Sequence, residues 1–144
     1  MKNSIYLFVT LLLVGCSTRK EIEPMVEKKN DDCVAFIGDL TKQAKPLKIS
    51  SVKIVGNSLI VEVNYSGGCK NHVFETKGSP MIAKSLPPIR AVQIIDLTKD
   101  DLCKKMEIKT LSIDISELAY KKEKGSEIYL TIEGWDEKIK YIFE

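Results

Sequence analysis

The sequence has no marked excess of charge of either sign, because 22 Lys and Arg residues stand against 20 Asp and Glu residues among its 144 positions. It also has no basic stripe with interleaved aromatic side chains. A protein that binds nucleic acid needs such a patch to contact the phosphate backbone. The sequence therefore gives no support to nucleic-acid binding.

The sequence also lacks an apolar run long enough to cross a bilayer, which takes roughly 20 residues. Its amino-terminal apolar run, from Ile5 to Val14, is shorter, and charged residues begin again at Arg19. A short polar start with Lys2 precedes this run, and that layout is typical of a signal peptide. We therefore expect residues 1–15 to be a cleaved leader.

The leader closes with the residues Leu13, Val14, Gly15 and Cys16. This combination resembles the lipobox of bacterial lipoprotein precursors, in which an aliphatic residue and a small residue precede an invariant cysteine. The resemblance implies that Cys16 carries diacylglycerol and fatty acyl chains such as palmitate, which anchor a protein durably on a membrane. Ser17 follows the cysteine, and by the sorting rule of enteric bacteria this favours the outer membrane. An ordinary cleaved signal with a structural Cys16 is the alternative.

The segment after the lipidated cysteine, Ser17 to Asp32, is charged, contains Pro24 and has few large apolar residues. We expect residues 16–32 to form a disordered tether. Fully extended, it would reach roughly 50 Å. Residues 33–144 are then one domain, large enough for one hydrophobic core.

Hydrophobic residues in this domain recur with a period of two, which predicts strands. The predicted strands are Ile49 to Val55, Leu59 to Ser66, His72 to Thr76, Val92 to Leu97, Leu111 to Ser116, Ile128 to Ile132 and Ile139 to Phe143. No long helical pattern separates them. We predict an all-β fold, an antiparallel, immunoglobulin-like β-sandwich of about seven strands.

Three connections between these strands have distinct patterns. Thr98 could cap a short helical connector beginning at Lys99, with Asp101 in the position of a capping box. Three prolines predict a long loop from Lys77 to Pro88. Lys121, Lys122 and Lys124 form a charged turn, for which a solvated hairpin tip is the main interpretation and contact with anionic headgroups the lesser one.

Once Cys16 is assigned to lipid, Cys33, Cys69 and Cys103 remain, an odd number in an oxidising compartment. We favour a disulfide between Cys69 and Cys103, because Cys69 ends a strand after two glycines and Cys103 lies just beyond a central strand. Such a bond would close a loop of about 34 residues and contribute roughly 3 to 4 kcal/mol. Pairing of Cys33 with either of the other two cysteines is the alternative.

The stretch from Gly67 to Phe74 is the main candidate site. Cys69, His72 and Cys103, with Cys33 as a fourth ligand, could compose a zinc site, although oxidation to a disulfide would compete with thiolate ligation. A thiol nucleophile with His72 as its base lacks an oxyanion donor and a demonstrably exposed thiolate. The structural interpretation makes His72 a partly buried, hydrogen-bonded neighbour of Phe74. We therefore predict no catalytic residue and no cofactor, with the metal site as the alternative.

A second resemblance covers most of the domain. The runs NYSGGCKNHVFE, DLCKKM and LSIDISEL resemble a pattern in small uncharacterised lipoproteins of Bacteroidota-type bacteria. There, a Gly-Gly-Cys-x-x-His-x-Phe stretch precedes a second cysteine and an Asp-Ile/Leu-Ser strand end. The matching positions here are Gly67, Gly68, Cys69, His72, Phe74, Cys103, Asp114, Ile115 and Ser116. The resemblance implies no activity and agrees with the pairing of Cys69 with Cys103.

Two functional hypotheses follow from the sequence. The first is a non-catalytic envelope lipoprotein that binds another protein or supports a surface assembly. The second is a metal-binding lipoprotein that uses Cys69, His72 and Cys103. The state of the two sulfur atoms discriminates between them, because a disulfide leaves neither thiolate available to a metal.

Overall fold

The computed structural model describes residues 32–42 and 47–144. These residues form nine strands and one short 3-10 helix, η1. The elements are β1 (Asp32–Val34), β2 (Phe36–Ile37), β3 (Lys48–Val55), β4 (Ser58–Gly67), β5 (Phe74–Ala83), β6 (Ile89–Asp96), β7 (Lys105–Asp114), η1 (Ser116–Leu118), β8 (Glu127–Ile132) and β9 (Lys138–Ile142). The predicted leader, the lipobox and all of the predicted tether except Asp32 lie outside the described residues.

The strands form two sheets that enclose a shared core. One sheet has the order β1-β7-β4-β3, and the other has the order β2-β5-β6-β8-β9. This arrangement confirms the predicted all-β sandwich. Each sheet is mixed rather than purely antiparallel, because β1 pairs with β7, β2 with β5 and β6 with β8 in parallel. The order also differs from the A-B-E-D and C-F-G order of immunoglobulin domains.

The core consists of the inward-facing residues of the alternating strands. Leu59, Val61 and Val63 of β4 are fully buried, as is Ile113 of β7 across the same sheet. Burying a side chain of this kind stabilises the fold by about 1.5 to 3 kcal/mol relative to leaving it exposed. The period of two therefore identified the buried face correctly. Within the described ranges, no helix is long and apolar enough to cross a membrane.

Strand β5 corrects the predicted long loop from Lys77 to Pro88. The strand continues to Ala83 and includes Pro80, so the connection to β6 spans only residues 84–88. A proline cannot donate to a strand ladder and is therefore found at edges and bulges. Here the pairing of β5 with β6 shifts register between Gly78 and Ile82, and this irregularity accommodates the proline.

The predicted helical connector after Thr98 is wrong. Residues 99–104 contain no helix, and β7 begins at Lys105. The two expected capping residues have other partners: the Thr98 hydroxyl accepts the N–H of Val73 at 3.0 Å, and Asp101 accepts the N–H of Cys103 at 2.9 Å. A contact with the Val73 segment and a bond two residues along the chain thus take the place of the bonds that would begin a helix.

The first two strands join the edges of both sheets. Strand β1 lies beside β7, and β2 lies beside β5, with only the fully buried Ala35 between them. The N–H of Ala35 donates to Asp114 O at 2.8 Å in one sheet, and the N–H of Gly38 donates to Gly78 O at 3.0 Å in the other. The chain therefore crosses between the sheets within a single residue.

Candidate functional site

The predicted site residues meet where four strand ends from both sheets converge, a place we call the disulfide corner (Gly67, Cys69, His72, Asp96, Asp101 and Cys103). Strand β4 ends here at Gly67, β6 ends at Asp96, and β5 and β7 begin nearby. Cys69 and Cys103 form a disulfide with a Cα–Cα distance of 5.8 Å, as predicted. Cys33 has no part in this bond, and its Sγ lies 3.9 Å from Phe74 O, so the alternative pairings with Cys33 are wrong.

His72 is buried between two carboxylates. Its Nδ1 lies 2.6 Å from Asp96 Oδ2, and its Nε2 lies 3.1 Å from Asp101 Oδ2. An ionised carboxylate only accepts hydrogen bonds, so beside two ionised carboxylates both ring nitrogens donate and the imidazole carries two protons. His72 and Phe74 are both buried around the exposed Val73, which confirms the structural interpretation of this histidine.

The pKa of His72 follows from opposing effects. Burial acts to lower it, because a low-dielectric surrounding disfavours the charged ring. The hydrogen bonds and the negative charges of Asp96 and Asp101 outweigh burial, so the pKa of His72 is raised above 6.5. The folded structure therefore favours the protonated form of the histidine.

Asp101 is the hub of the corner. Its Oδ1 accepts the N–H of Cys103, and its Oδ2 accepts the N–H groups of Cys69 and Lys70, each at 3.1 Å. The bond from Cys103 lowers the pKa of Asp101 most; burial opposes it, and the bonds from His72, Cys69 and Lys70 lower the pKa further, to about 2. The side chain of Asp101 is almost fully buried. It ties together the same two loops that the disulfide joins.

Gly67 permits the close approach of the histidine ring. A Cβ at this position would overlap His72 Nε2, and it would lie 2.9 Å from His72 Cε1 and 3.0 Å from Asp101 Oδ2. On another side, the Tyr65 ring centroid lies 4.4 Å from that of His72. The imidazole is therefore enclosed by backbone, carboxylates and an aromatic ring.

This geometry decides what the corner can do chemically. The two sulfur atoms are bonded to each other, so in this state neither is a thiolate that could ligate zinc or attack a substrate. Both His72 nitrogens donate to carboxylates and keep no lone pair for a metal. The side chains of Cys69, Asp101 and Cys103 offer ligand atoms within 4.8 Å of one another, but two of those atoms are the bonded sulfurs. The metal alternative with Cys69, His72 and Cys103 does not fit this arrangement.

A second candidate region lies at the other end of the β5–β6 hairpin. There the 84–88 connection faces the segment from Tyr120 to Glu127 across an open cavity of about 620 Å³, which we call the loop groove. An adjoining cavity of about 510 Å³ extends to Ile82 and Lys84. Its two sides carry separate sequence patterns, the proline-rich stretch from Lys77 to Pro88 and the charged turn of Lys121, Lys122 and Lys124, and neither pattern shows that they meet.

Arg90 is buried two residues after Pro88, and no sequence pattern identified it. Its Nη1 donates to Ser79 O at 2.6 Å, and its Nε donates to Leu118 O at 3.1 Å. Burial lowers the pKa of Arg90 because it disfavours the charged guanidinium. Arg90 thus joins the irregular part of β5 to the end of η1, the two elements that lead into the sides of the groove.

Comparison with known proteins finds neither a matching family model nor a matching curated protein. Solved structures do match the fold. They include a NigD-like immunity protein from Bacteroides caccae (TM-score 0.54, 14% identity, 76% of this chain and 58% of that one) and a putative toxin related protein from Parabacteroides distasonis (TM-score 0.53, 13% identity, 77% and 61%).

A third similar structure is a protein of unknown function, DUF1344, from Bacteroides vulgatus (TM-score 0.50, 12% identity, 78% of this chain and 55% of that one). This chain therefore spans roughly three fifths of the length of the structures it matches. At sequence identities this low, the structural similarity establishes a shared fold and nothing further. All three similar proteins come from Bacteroides or Parabacteroides.

Proposed function

We propose that this protein is a lipid-anchored component of the bacterial cell envelope whose β-sandwich acts as a non-catalytic binding or structural module. In this proposal Cys16 carries the lipid, the outer membrane is the destination, and residues 16–32 hold the domain away from the bilayer. The lipobox from Leu13 to Cys16 supports the anchor. The sandwich fold is shared with proteins from Bacteroides and Parabacteroides, which supports a small bacterial domain.

The observation that carries the non-catalytic part is the internal use of the disulfide corner. Its sulfurs, both imidazole nitrogens of His72 and both carboxylate oxygens of Asp101 have partners within the protein. Catalytic groups instead face an open position in a cleft, where a substrate can reach them. The corner has the chemistry of a structural brace.

A protein from the envelope is the proposed partner of the domain. One structural neighbour is described as an immunity protein and another as toxin related. A role in immunity or in relation to a toxin can consist of recognising another polypeptide, and such recognition needs no catalytic residue.

Metabolic labelling tests the anchor. Cells expressing the full chain are grown with an alkyne analogue of palmitate, and the protein is isolated and coupled to a fluorophore. We expect label on the wild-type protein, none on Cys16→Ala, and full label on the matched control Cys33→Ala. Label that persists in Cys16→Ala would overturn the anchor, and recovery of the labelled protein with the inner membrane would overturn the outer-membrane assignment.

Mass spectrometry separates the binding module from the metal alternative. The protein is purified from its own membranes, alkylated without reductant and digested, and its zinc content is measured. We expect a peptide pair linked through Cys69 and Cys103 and no stoichiometric zinc. Alkylated Cys69 and Cys103 with one bound zinc per chain would replace this proposal with the metal-binding one.

A further inference from the structure

The loop groove carries apolar side chains that the fold leaves in solvent. Leu86 is 100% exposed and Tyr120 is 50% exposed, and both line the groove together with Pro87 and Pro88. Single exposed apolar residues are ordinary on protein surfaces, whereas several around one depression mark an interaction surface. The groove therefore offers an apolar contact at the tip of two loops.

Lysines without ion pairs surround this apolar contact. Lys84, Lys121 and Lys124 line the two cavities, and none of them forms a salt bridge within the part of the chain that the structure describes. Two carboxylates line the groove. Glu127 pairs with Lys140 at 2.9 Å, whereas Glu123 forms no salt bridge within the described residues. Three such lysines against one such carboxylate leave an excess of positive charge, which complements an anionic surface.

The fold holds both sides of the groove in place. Ser85 Oγ donates to Pro87 O at 2.6 Å on one side, and the N–H of Gly125 donates to Phe143 O at 2.8 Å on the other. The N–H of Tyr129 donates to Pro88 O at 2.9 Å, and Arg90 connects the supporting elements from below. A surface held in this way loses little conformational freedom when it binds.

An exposed leucine, a half-exposed tyrosine and flanking lysines together suit the boundary of a lipid bilayer. Apolar side chains enter the acyl boundary, tyrosine prefers the headgroup level, and lysines extend their charged ends to phosphates. Positive residues next to a membrane are attracted to its anionic lipids in a salt-dependent manner. A partner protein with an acidic surface would match the lysines as well, and the proposed lipid anchor, which keeps the domain next to a bilayer, favours the membrane.

We propose that the loop groove docks the domain onto the anionic surface of the membrane, with Leu86 inserted and Lys84, Lys121 and Lys124 on lipid phosphates. This inference rests on the proposed lipid anchor, because a tether with a reach of roughly 50 Å confines the domain near the bilayer. Confinement raises the effective concentration of the surface, so a weak contact is sufficient. The anchor and the groove together would fix one orientation of the sandwich on the membrane.

Vesicle binding tests the docking without the anchor. The mature chain with Cys16→Ser is mixed with vesicles of phosphatidylcholine alone or with added phosphatidylglycerol, and sedimentation measures the bound fraction. We expect about tenfold stronger binding to the anionic vesicles, lost as salt is raised. The triple variant Lys84→Glu, Lys121→Glu and Lys124→Glu should lose this preference, and Leu86→Ser should weaken binding.

Matched controls keep the test specific to the groove. The triple variant Lys53→Glu, Lys99→Glu and Lys104→Glu makes the same change in net charge at exposed lysines elsewhere, and Leu102→Ser replaces a leucine that is 90% exposed outside the groove. Both controls should bind the anionic vesicles more tightly than their groove counterparts. Equal losses in the two triple variants, or equal binding to both vesicle types, would overturn the proposal.

A photo-crosslinking amino acid at position 86 of the full chain distinguishes the occupants in cells. Crosslinks to phospholipid support membrane docking, whereas a discrete crosslink to a protein would overturn it in favour of a polypeptide partner. Palmitate labelling of Cys16 is read independently. Loss of that label with anionic-vesicle binding intact would overturn the anchor alone, and the reverse result would overturn the docking alone.

Discussion

The disulfide corner and the loop groove occupy opposite ends of the same hairpin. Strand β5 begins two residues after His72 and ends one residue before Lys84. Ten residues of strand span about 33 Å. At one end, a covalent bond and charge-assisted hydrogen bonds close the structure, whereas at the other end leucine, tyrosine and lysine side chains line an open groove.

The residues with reactive side chains are bonded to one another inside the protein, at the disulfide corner. Cysteine, histidine and aspartate attract attention in a sequence, yet here they satisfy one another and brace the junction of four strands. The residues that remain available to a partner are of types that form no catalytic or metal-binding motif. A side chain whose polar atoms are already bonded within the protein is not available to a partner, whatever its residue type.

Removal of the disulfide should cause the largest loss of stability. The double variant Cys69→Ser and Cys103→Ser should lose about 3 to 4 kcal/mol of unfolding free energy, because the bond closes a long loop in the unfolded chain. Urea denaturation followed by circular dichroism measures this loss. Reductant should destabilise the wild-type protein and leave the double variant unchanged, and a loss below about 1 kcal/mol would show that the corner holds without the bond.

Two glycine substitutions compare the ends directly. Gly67→Ala should cost about 2 kcal/mol, because its Cβ would overlap the ring of His72 in a closed surrounding. Gly125→Ala at the groove has open space around it but a φ of +86°, so its cost of about 1 kcal/mol is conformational only.

The same denaturation assay measures both glycine variants. Adding His72→Ala to Gly67→Ala removes the overlap, so the combined loss should be smaller than the sum of the two single losses. Simple additivity at this pair would contradict the packing explanation. Gly125→Ala combined with His72→Ala should be additive, because the two positions lie at opposite ends of the domain.

The pH dependence of stability should come from the corner. The pKa of His72 is raised in the folded state, so its contribution is fully present below pH 6.5 and is lost as the pH rises through the folded-state pKa. The pKa of Asp101 is lowered from 3.8 to about 2, so its contribution is present above pH 3.8 and is lost as the pH falls toward 2. Stability should be highest between these two limits.

Urea midpoints measured across this pH range check the dependence. His72→Gln should remove the decline on the alkaline side. It should keep part of the acid-side decline, because Asp101 still accepts N–H groups from Cys69, Lys70 and Cys103. An alkaline decline that survives in His72→Gln would assign it to another group.

The smallest effect on stability is expected at the groove. Leu86→Ser should change the unfolding free energy by less than about 0.5 kcal/mol, because the side chain is fully exposed. A thermal melt of the variant checks this value. A larger loss would mean that Leu86 supports the fold, and the contrast between the two ends would then disappear.

Sequence patterns were sufficient where a residue and its partners follow local rules. Alternation located β4 and β8 with their buried faces and only the last four residues of β7, and the two cysteines were paired correctly. The short strands β1 and β2 were missed because they are too brief for a periodic signal and take their hydrogen bonds from β7 and β5, far along the chain. Parallel pairing is equally non-local, so the mixed sheets could not be predicted.

The candidate sites show the same limit. The structural interpretation of His72 required only its neighbours on one strand face, whereas the role of Asp101 depended on a loop 32 residues earlier in the chain. Local capping rules assigned Asp101 to a helix that does not form. The loop groove joins two segments more than 30 residues apart, and local patterns identified each of them without showing that they meet.

The crossing of the chain between the sheets at Ala35 has a mechanical consequence for a domain held by its amino terminus. A pull applied ahead of Asp32 acts on β1, which is bonded to β7, and through Ala35 on β2, which is bonded to β5. Peeling the first two strands away must therefore break bonds in both sheets and draw a buried residue out of the core. The resistance of this domain to tension from a tether would depend on that crossing.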